Sequence, residues 1–218
     1  MTEATLQALE NMRDLTMIKW YVIPLLAFVF YVYSKEIRLA RQTGNWNAVF
    51  CGVSVFGSDF FNETMNGWIM VLSQRSALWT VPGDTALRVM VGWNIEIMFM
   101  FAILGIIYYN TLSESTTQRI LGIPEKWFWA IGYSAFCVFV EVFFLNRGNH
   151  LVWEYPFWEG TLVGVPMIFL FGYFDFFLSA ILVMSLKTIR SKLIAISVIY
   201  SIPIAMNIIA FGFLGWTY

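Results

Sequence analysis

Six mostly apolar stretches, at approximately 17–34, 48–72, 88–110, 127–146, 161–185 and 193–216, are each about long enough to cross a bilayer. A helix needs roughly 20 such residues to span the hydrocarbon. Hydrocarbon offers no partner to exposed backbone N–H and C=O groups, so runs of this length are expected to be helical. The expected fold class is therefore all-α: a polytopic integral membrane bundle of about six helices, one domain over residues 1–218. Composition agrees, with 59% hydrophobic and only 12% charged residues, where soluble domains carry roughly 25%. A net charge of -1 without a dense basic patch argues against nucleic acid as a partner, because phosphate neutralisation needs clustered cations.

Pro24, Pro166 and Pro203 fall within runs one, five and six and are expected to kink them. The acidic, amphipathic start Met1-Thr2-Glu3-Ala4-Thr5 lacks the basic beginning of a cleaved signal peptide, so the first run is expected to be retained. Soluble-side segments are read at 35–46, 111–126 and 186–192. Loops one, three and five hold eight of the Lys and Arg residues and the opposite side five. That bias places the odd loops in the cytoplasm and both termini outside. Trp20, Trp46, Trp79, Trp127, Trp153, Trp158 and Trp216 lie near run ends and read as interfacial anchors. Gly160 and Gly164, four apart, could admit close helix packing. Cys51 and Cys137 lack paired spacing and read as small buried hydrophobes.

Against this apolar background, Asp59, Asn62, Glu63 and Asn66 recur at positions 0, 3, 4 and 7 of the second run, which places them on one face of a helix. An Asp at the centre of a membrane helix costs roughly 2.5 to 3.5 kcal/mol on insertion scales, so these groups need compensation. Glu96, Glu141 and Asp175 occupy runs three to five, joined by Asn94, Asn146 and Asn207, and no Lys or Arg lies deep in any run. Arg88 and Arg147 could reach in from the boundary. Alternating helix directions bring Glu63, Asn66, Glu96, Glu141 and Asn207 to one half of the bundle, with Asp175 near its middle. A polar cavity is expected there. The fourth loop, 146–160, carries Trp153, Tyr155, Phe157 and Trp158 beside Asn146, His150 and Glu154, and reads as its interfacial cover.

Carboxyl groups held in low dielectric can keep a proton near neutral pH, and adjacent ones can share it. That state suits a general acid and equally a proton carrier. The leading expectation is an integral membrane enzyme that cyclises or isomerises a terpenoid or sterol-like lipid. Asp59, Glu63, Glu96, Glu141 and Asp175 would be its acid–base groups. Asn62, Asn66, Trp68, Trp93, Asn94, Asn146, His150, Trp153, Glu154, Tyr155 and Asn207 would line the substrate, with aromatic faces supporting a cationic centre. A proton- or cation-coupled transporter is the alternative; a structural subunit whose acids only hold the bundle together is another. A single histidine rules out multi-histidine metal chemistry within one chain, although oxygen ligands for magnesium or calcium remain open. Glycine-rich phosphate loops, serine elbows and paired-cysteine motifs are absent. No cofactor is expected. The expected partner is a membrane lipid or hydrophobic small molecule, and a homo-oligomer is compatible with the small size. Val81-Pro82-Gly83-Asp84-Thr85 reads as a turn.

Overall fold

The computed structural model describes residues 1–218 with the exception of Asn11 and Thr116. A short N-terminal helix α1 (Glu3–Glu10) leads through a single 3-10 turn at Leu15–Met17 to α2 (Val22–Thr43) and α3 (Asn47–Ser73). The Asp14 side chain caps that turn, and hydrogen bonds from the Thr16 hydroxyl and amide hold its carboxyl below the usual carboxylate range. Next come strands β1 (Trp79–Thr80), β2 (Arg88–Met90) and β3 (Trp93–Asn94), then helix α4 (Ile95–Thr111). The hairpin β4 (Arg119–Ile120) and β5 (Ile123–Pro124) precedes α5 (Glu125–Val140), which continues as π-helix over Glu141–Leu145. Strand β6 (Val152–Trp153) and a 3-10 turn at Pro156–Trp158 follow. The next long helix is α6 (Gly164–Ile168), a π-helical stretch at Phe169–Phe174, and α7 (Asp175–Ser185). The last is α8 (Ile189–Asn207), extended as π-helix over Ile208–Phe213.

The fold is all-α in its architecture, with two-stranded ladders confined to the connections. Glu125–Leu145, Gly164–Ser185 and Ile189–Phe213 are long and apolar enough to cross a membrane. The remaining long helices differ for identifiable reasons. α2 carries Lys35, Glu36, Arg38 and Arg41 in its second half, α3 carries the polar stripe, and α4 is apolar but has only 17 residues, or about 26 Å of rise.

Boundaries differ from the sequence reading at three places, the least of them α8, which begins at Ile189 inside the segment 186–192 read as soluble-side. Residues 88–94 form a hairpin rather than the start of the third helix, because Asn94 stops the helix there: its side chain accepts the Ile97 amide at 2.9 Å as an N-cap. The second helix starts at Val22 and runs to Thr43, where Gly44 takes the left-handed conformation (φ 75°) and returns its N–H to the Ala40 carbonyl. Pro24 and Pro166 stand in the first turns of their helices, positions where a missing N–H costs nothing. Pro203 alone of the three is inside a helix.

Helix α3 is the central element, packing on α4, α7 and α8. Small residues make this possible. A side-chain carbon added at Gly105 of α4 would fall on the Cys51 carbonyl, and one at Gly57 would meet Tyr200 and Ile199 of α8. Gly67 takes the Tyr218 ring in the same way. The Gly160/Gly164 pair does not act as one helix-packing stripe: Gly160 gives room to Val142 and the Trp153 ring, whereas a carbon at Gly164 would strike the Glu159 backbone of a local turn.

The connections after α2, α4 and α7 gather at one end, where Asn45, Ser113, Glu125 and Ser185 line a common groove of about 770 Å³. At the other end β1 pairs antiparallel with β6, setting Trp79 opposite Trp153, while the Arg13 amide bonds the Arg88 carbonyl at 2.8 Å. The segment 75–94, the fourth loop and the N-terminal residues thus form a single cap over α3.

Candidate functional site

Three carboxyl groups in this bundle share one kind of partner. Trp93 Nε1 donates to Asp59 Oδ2 at 2.8 Å, Trp79 Nε1 to Glu63 Oε1 at 2.9 Å, and Trp153 Nε1 to Glu141 Oε1 at 2.9 Å. All three acids are buried. Each indole comes from a short strand of the cap (β3, β1 and β6), so the cap delivers one neutral donor to each acid. An indole N–H is a donor only and carries no charge; it orients a carboxyl group without neutralising it. A fourth acid, Asp175, accepts from Asn62 Nδ2 at 2.9 Å. Among the described residues the ion pairs are Lys19–Asp84 and Lys35–Glu36, both away from these acids.

Asp59 and Glu63 lie one turn apart on the same face of α3. The other two acids arrive through irregular helix. Glu141 opens the π-helical stretch after α5, and Asp175 follows the one after α6. A π-turn inserts a residue and re-aims the side chains that follow, and such turns are frequent at functional sites. Tyr173, in the second stretch, faces Glu141. Asp59 is within electrostatic reach of Glu63 and Asp175, and Glu63 of Glu141.

Asp59, Asn62, Glu63 and Glu141 line one crevice together with Trp79, Gly92, Ile97, Met100, Phe101, Leu145, Leu151, Trp158, Gly172, Tyr173 and Phe176. Its volume is about 50 Å³, room for a few water-sized groups. Most of the wall is apolar; the polar atoms belong to the acids, Asn62 and the cap. Met100 on α4 stands at its edge and is 45% exposed, so the crevice reaches the outer surface of the bundle. Trp79 stacks on Trp158 with ring centroids 5.4 Å apart. Glycine at 92 is required by this arrangement, since an added carbon would lie 2.5 Å from Trp79 Nε1 and 2.7 Å from Glu63 Oε2.

Several expected members stand elsewhere, each for a physical reason. Glu96, in the first turn of α4, accepts from the Tyr21 hydroxyl, the Thr85 hydroxyl and the Ala86 amide. It ties α2 and the 80s turn to α4 and does not face the crevice, because the hairpin at 88–94 rotates the start of this helix away. Asn207 donates to Thr64 Oγ1 at 2.8 Å and accepts from the Tyr218 hydroxyl at 2.9 Å, on a different face of α3. Trp68 packs edge-on against Trp216, with centroids 5.0 Å apart. Asn94 is the cap of α4, and Asn146 donates to the Leu151 carbonyl within its own loop. His150 is exposed.

Tyr155 and Glu154 fasten the fourth loop to the end of α3. The Tyr155 hydroxyl is 3.1 Å from both Ser73 Oγ and the Ser76 carbonyl, its ring lies under the Arg75 guanidinium at 5.1 Å, and Arg75 reaches the Glu154 carbonyl. Neither boundary arginine reaches the acids: Arg88 bonds the Val81 and Gly83 carbonyls, and Arg147 lies over the Phe143 ring.

Asn66 acts on the site at one remove. Its Oδ1 accepts the Leu78 and Trp79 amides at 2.8 and 3.3 Å, and its Nδ2 donates to the Trp79 carbonyl at 2.8 Å. This amide therefore holds β1, and with it the Trp79 indole, in register over Glu63. Asn66→Ala would leave buried backbone groups unpaired and is expected to cost about 2 to 4 kcal/mol, read as a lower midpoint in detergent-titrated unfolding.

Trp79, Trp158, Tyr173, Gly92 and Gly172 complete the site; Trp158 was expected as one of the aromatics of the covering loop, and the other four were not expected in it. Trp79, Trp153 and Trp158 had the position of interfacial anchors but turn inward; Trp158 is only 4% exposed. The available signal was the unusual density of tryptophan in two connections that face the same end.

A bundle of long apolar helices with acids buried at its centre defines an integral membrane protein. Residues 2–212 match an uncharacterized membrane protein family, and the chain belongs to that family. An uncharacterized protein of Archaeoglobus fulgidus is 38% identical over 215 residues, covering 99% of each chain. No solved structure matches significantly. Among the described residues, no three His, Cys, Asp or Glu side chains are grouped closely enough to hold a metal ion.

Proposed function

We propose that this protein is a membrane-embedded enzyme whose six long helices cross the bilayer and which isomerises or cyclises a lipidic substrate by carboxyl acid–base chemistry. The observation that carries the reading is the set of three acids, each held by an indole N–H and none by a cation, of which Glu63 and Glu141 face the same part-open crevice as Asp59. Acids oriented by neutral donors keep their proton exchange available to a ligand, whereas acids paired with lysine or arginine do not. Asp59 and Glu63 would deliver and remove the proton, and Glu141 with Tyr173 would face them across the crevice. The Trp79 and Trp158 rings offer faces to a developing positive charge. Asn62 and Asp175 form the adjoining wall.

The volume sets the mode of binding. Pockets that enclose a drug-sized ligand measure roughly 300 to 1,000 Å³, so a crevice of about 50 Å³ accepts only the reacting end of a lipid while its body stays in the bilayer beside Met100. The end that gathers the first, third and fifth connections would be cytoplasmic, by its excess of Lys and Arg. Incubation of the purified protein in lipid nanodiscs with a total membrane lipid extract, followed by mass spectrometry, should show one lipid consumed and an isomer or cyclised product formed. Wild-type protein that changes no lipid would remove the proposal.

The small volume also favours a second reading, a proton or cation path through Asp175, Asp59, Glu63 and Glu141. It requires a flux into proteoliposomes that Asp59→Asn abolishes, and no flux across ion and pH gradients would exclude it.

A further inference from the structure

We propose that the polar end accepted by this crevice is a hydroxyl group, so that the substrate class is a membrane lipid alcohol; this deepens the lipidic-substrate reading and rests on it. Two residues that line the crevice each bury a polar atom with no hydrogen-bond partner within 3.5 Å among the described residues: Glu63 at Oε2, where the Asn66 amide is the nearby donor, and Trp158 at Nε1. Both residues are more than nine-tenths buried, at 3% and 4% exposure. The two are linked through Trp79, whose indole N–H binds the other Glu63 oxygen and whose ring stacks on Trp158. An unpaired polar atom in such a place costs about 1 to 3 kcal/mol, so a ligand that satisfies both gains affinity and orientation.

These atoms demand opposite capacities. Trp158 Nε1 can only donate, so the ligand must accept; a carboxylate oxygen at Glu63 accepts, so the ligand must also donate. A hydroxyl does both from one oxygen. An ammonium group only donates and leaves Trp158 unsatisfied, while an ether or ketone only accepts and leaves Glu63 unsatisfied. Phosphate and carboxylate head groups would add a further acidic group beside Asp59, Glu63, Asp175 and Glu141 with no ion-pairing cation there to balance it among the described residues. The choice is that of the ionised Glu63: on a protonated Glu63 both atoms would donate, and the ether competitor would then bind as well as the alcohol. Size agrees as well: about 50 Å³ suits a hydroxyl and its first few carbons, with the remaining chain leaving past Met100 into lipid.

The probe is tritiated geranylgeraniol, titrated onto the wild-type protein in nanodiscs, with geranylgeranyl methyl ether and geranylgeranylamine as competitors. Saturable binding of the alcohol is expected, with both competitors at least tenfold weaker. Trp158→Phe, which keeps the stacked ring and removes the donor, should weaken the alcohol about tenfold; Glu63→Gln, which replaces an acceptor with a donor, should do the same. An amine or ether that binds as well as the alcohol would overturn the inference, as would unchanged alcohol affinity in both variants or no saturable binding at all. Should either variant fail to fold, the competitor series on wild-type protein still decides. If a lipid is consumed in nanodiscs while geranylgeraniol fails to bind, only the hydroxyl inference falls; loss of both takes the enzyme reading with it.

Discussion

Gly105→Leu is expected to prevent recovery of folded protein. A side-chain carbon at this position of α4 would occupy the place of the Cys51 carbonyl and lie 2.8 Å from the Gly52 amide nitrogen. The obstacle is helix backbone, which cannot swing aside as a side chain can, and the interior is already close-packed. Separating α3 from α4 by the width of a leucine also displaces the Tyr33 and Ile106 side chains that fill the space at Gly52. Overpacking usually costs 1 to 3 kcal/mol, and a clash with main chain at the central helix pair is expected to exceed about 3 kcal/mol. The measurement is the monodisperse fraction after detergent extraction, together with the apparent Tm of whatever remains. Gly132→Ala is the matched control, since the nearest atom to its new carbon belongs to Trp129 at 3.9 Å. Extraction of Gly132→Ala should equal wild type. Equal recovery of Gly105→Leu would show that α3 and α4 do not pack as described.

The second large effect separates two acids that the sequence groups together. Glu63→Gln is expected to lower lipid turnover by about 10² to 10⁴, the range for loss of a general acid or base, with little change in Tm because the amide oxygen can still accept the Trp79 indole. Asp59→Asn should behave alike through Trp93. Glu96→Gln should do the reverse. Its carboxyl gathers Tyr21, Thr85 and Ala86, so replacing it should lower Tm by several degrees while turnover stays within about threefold of wild type. Rates and melting curves on the same preparations test the pair. A catalytic loss in Glu96→Gln without destabilisation would return this residue to the site.

The polar stripe of α3 was legible because helical periodicity alone aligns Asp59, Asn62, Glu63 and Asn66, and three of these line the crevice. Glu141 could be placed by depth, since alternating helix directions bring the end of the α5 helix to the same half as Glu63. Glu96 misled by the same logic: its depth is right, but the hairpin before it sets the rotation of α4, and rotation cannot be read from an apolar run. Asn207 shares the half and faces Thr64 instead, for a similar reason. Trp93 and Trp153 were legible as lining, whereas Trp79 was hidden because an indole near a helix end is equally suited to an interface. Only the pairing of β1 with β6, between residues more than 70 positions apart, turns Trp79 and Trp153 toward the acids. The π-helical stretches that aim Glu141 and Tyr173 leave no mark in composition.

The central claim, that the acids and the tryptophan cap form a ligand site reached from the bilayer, is tested most directly by native mass spectrometry of the gently solubilised protein. Wild-type protein should retain one copy of a neutral hydroxylated lipid after its bulk phospholipids are stripped, and Glu63→Gln and Trp158→Phe should lose it under the same conditions. Wild-type and variant proteins that carry only phospholipids, lost in parallel as detergent rises, would contradict the account.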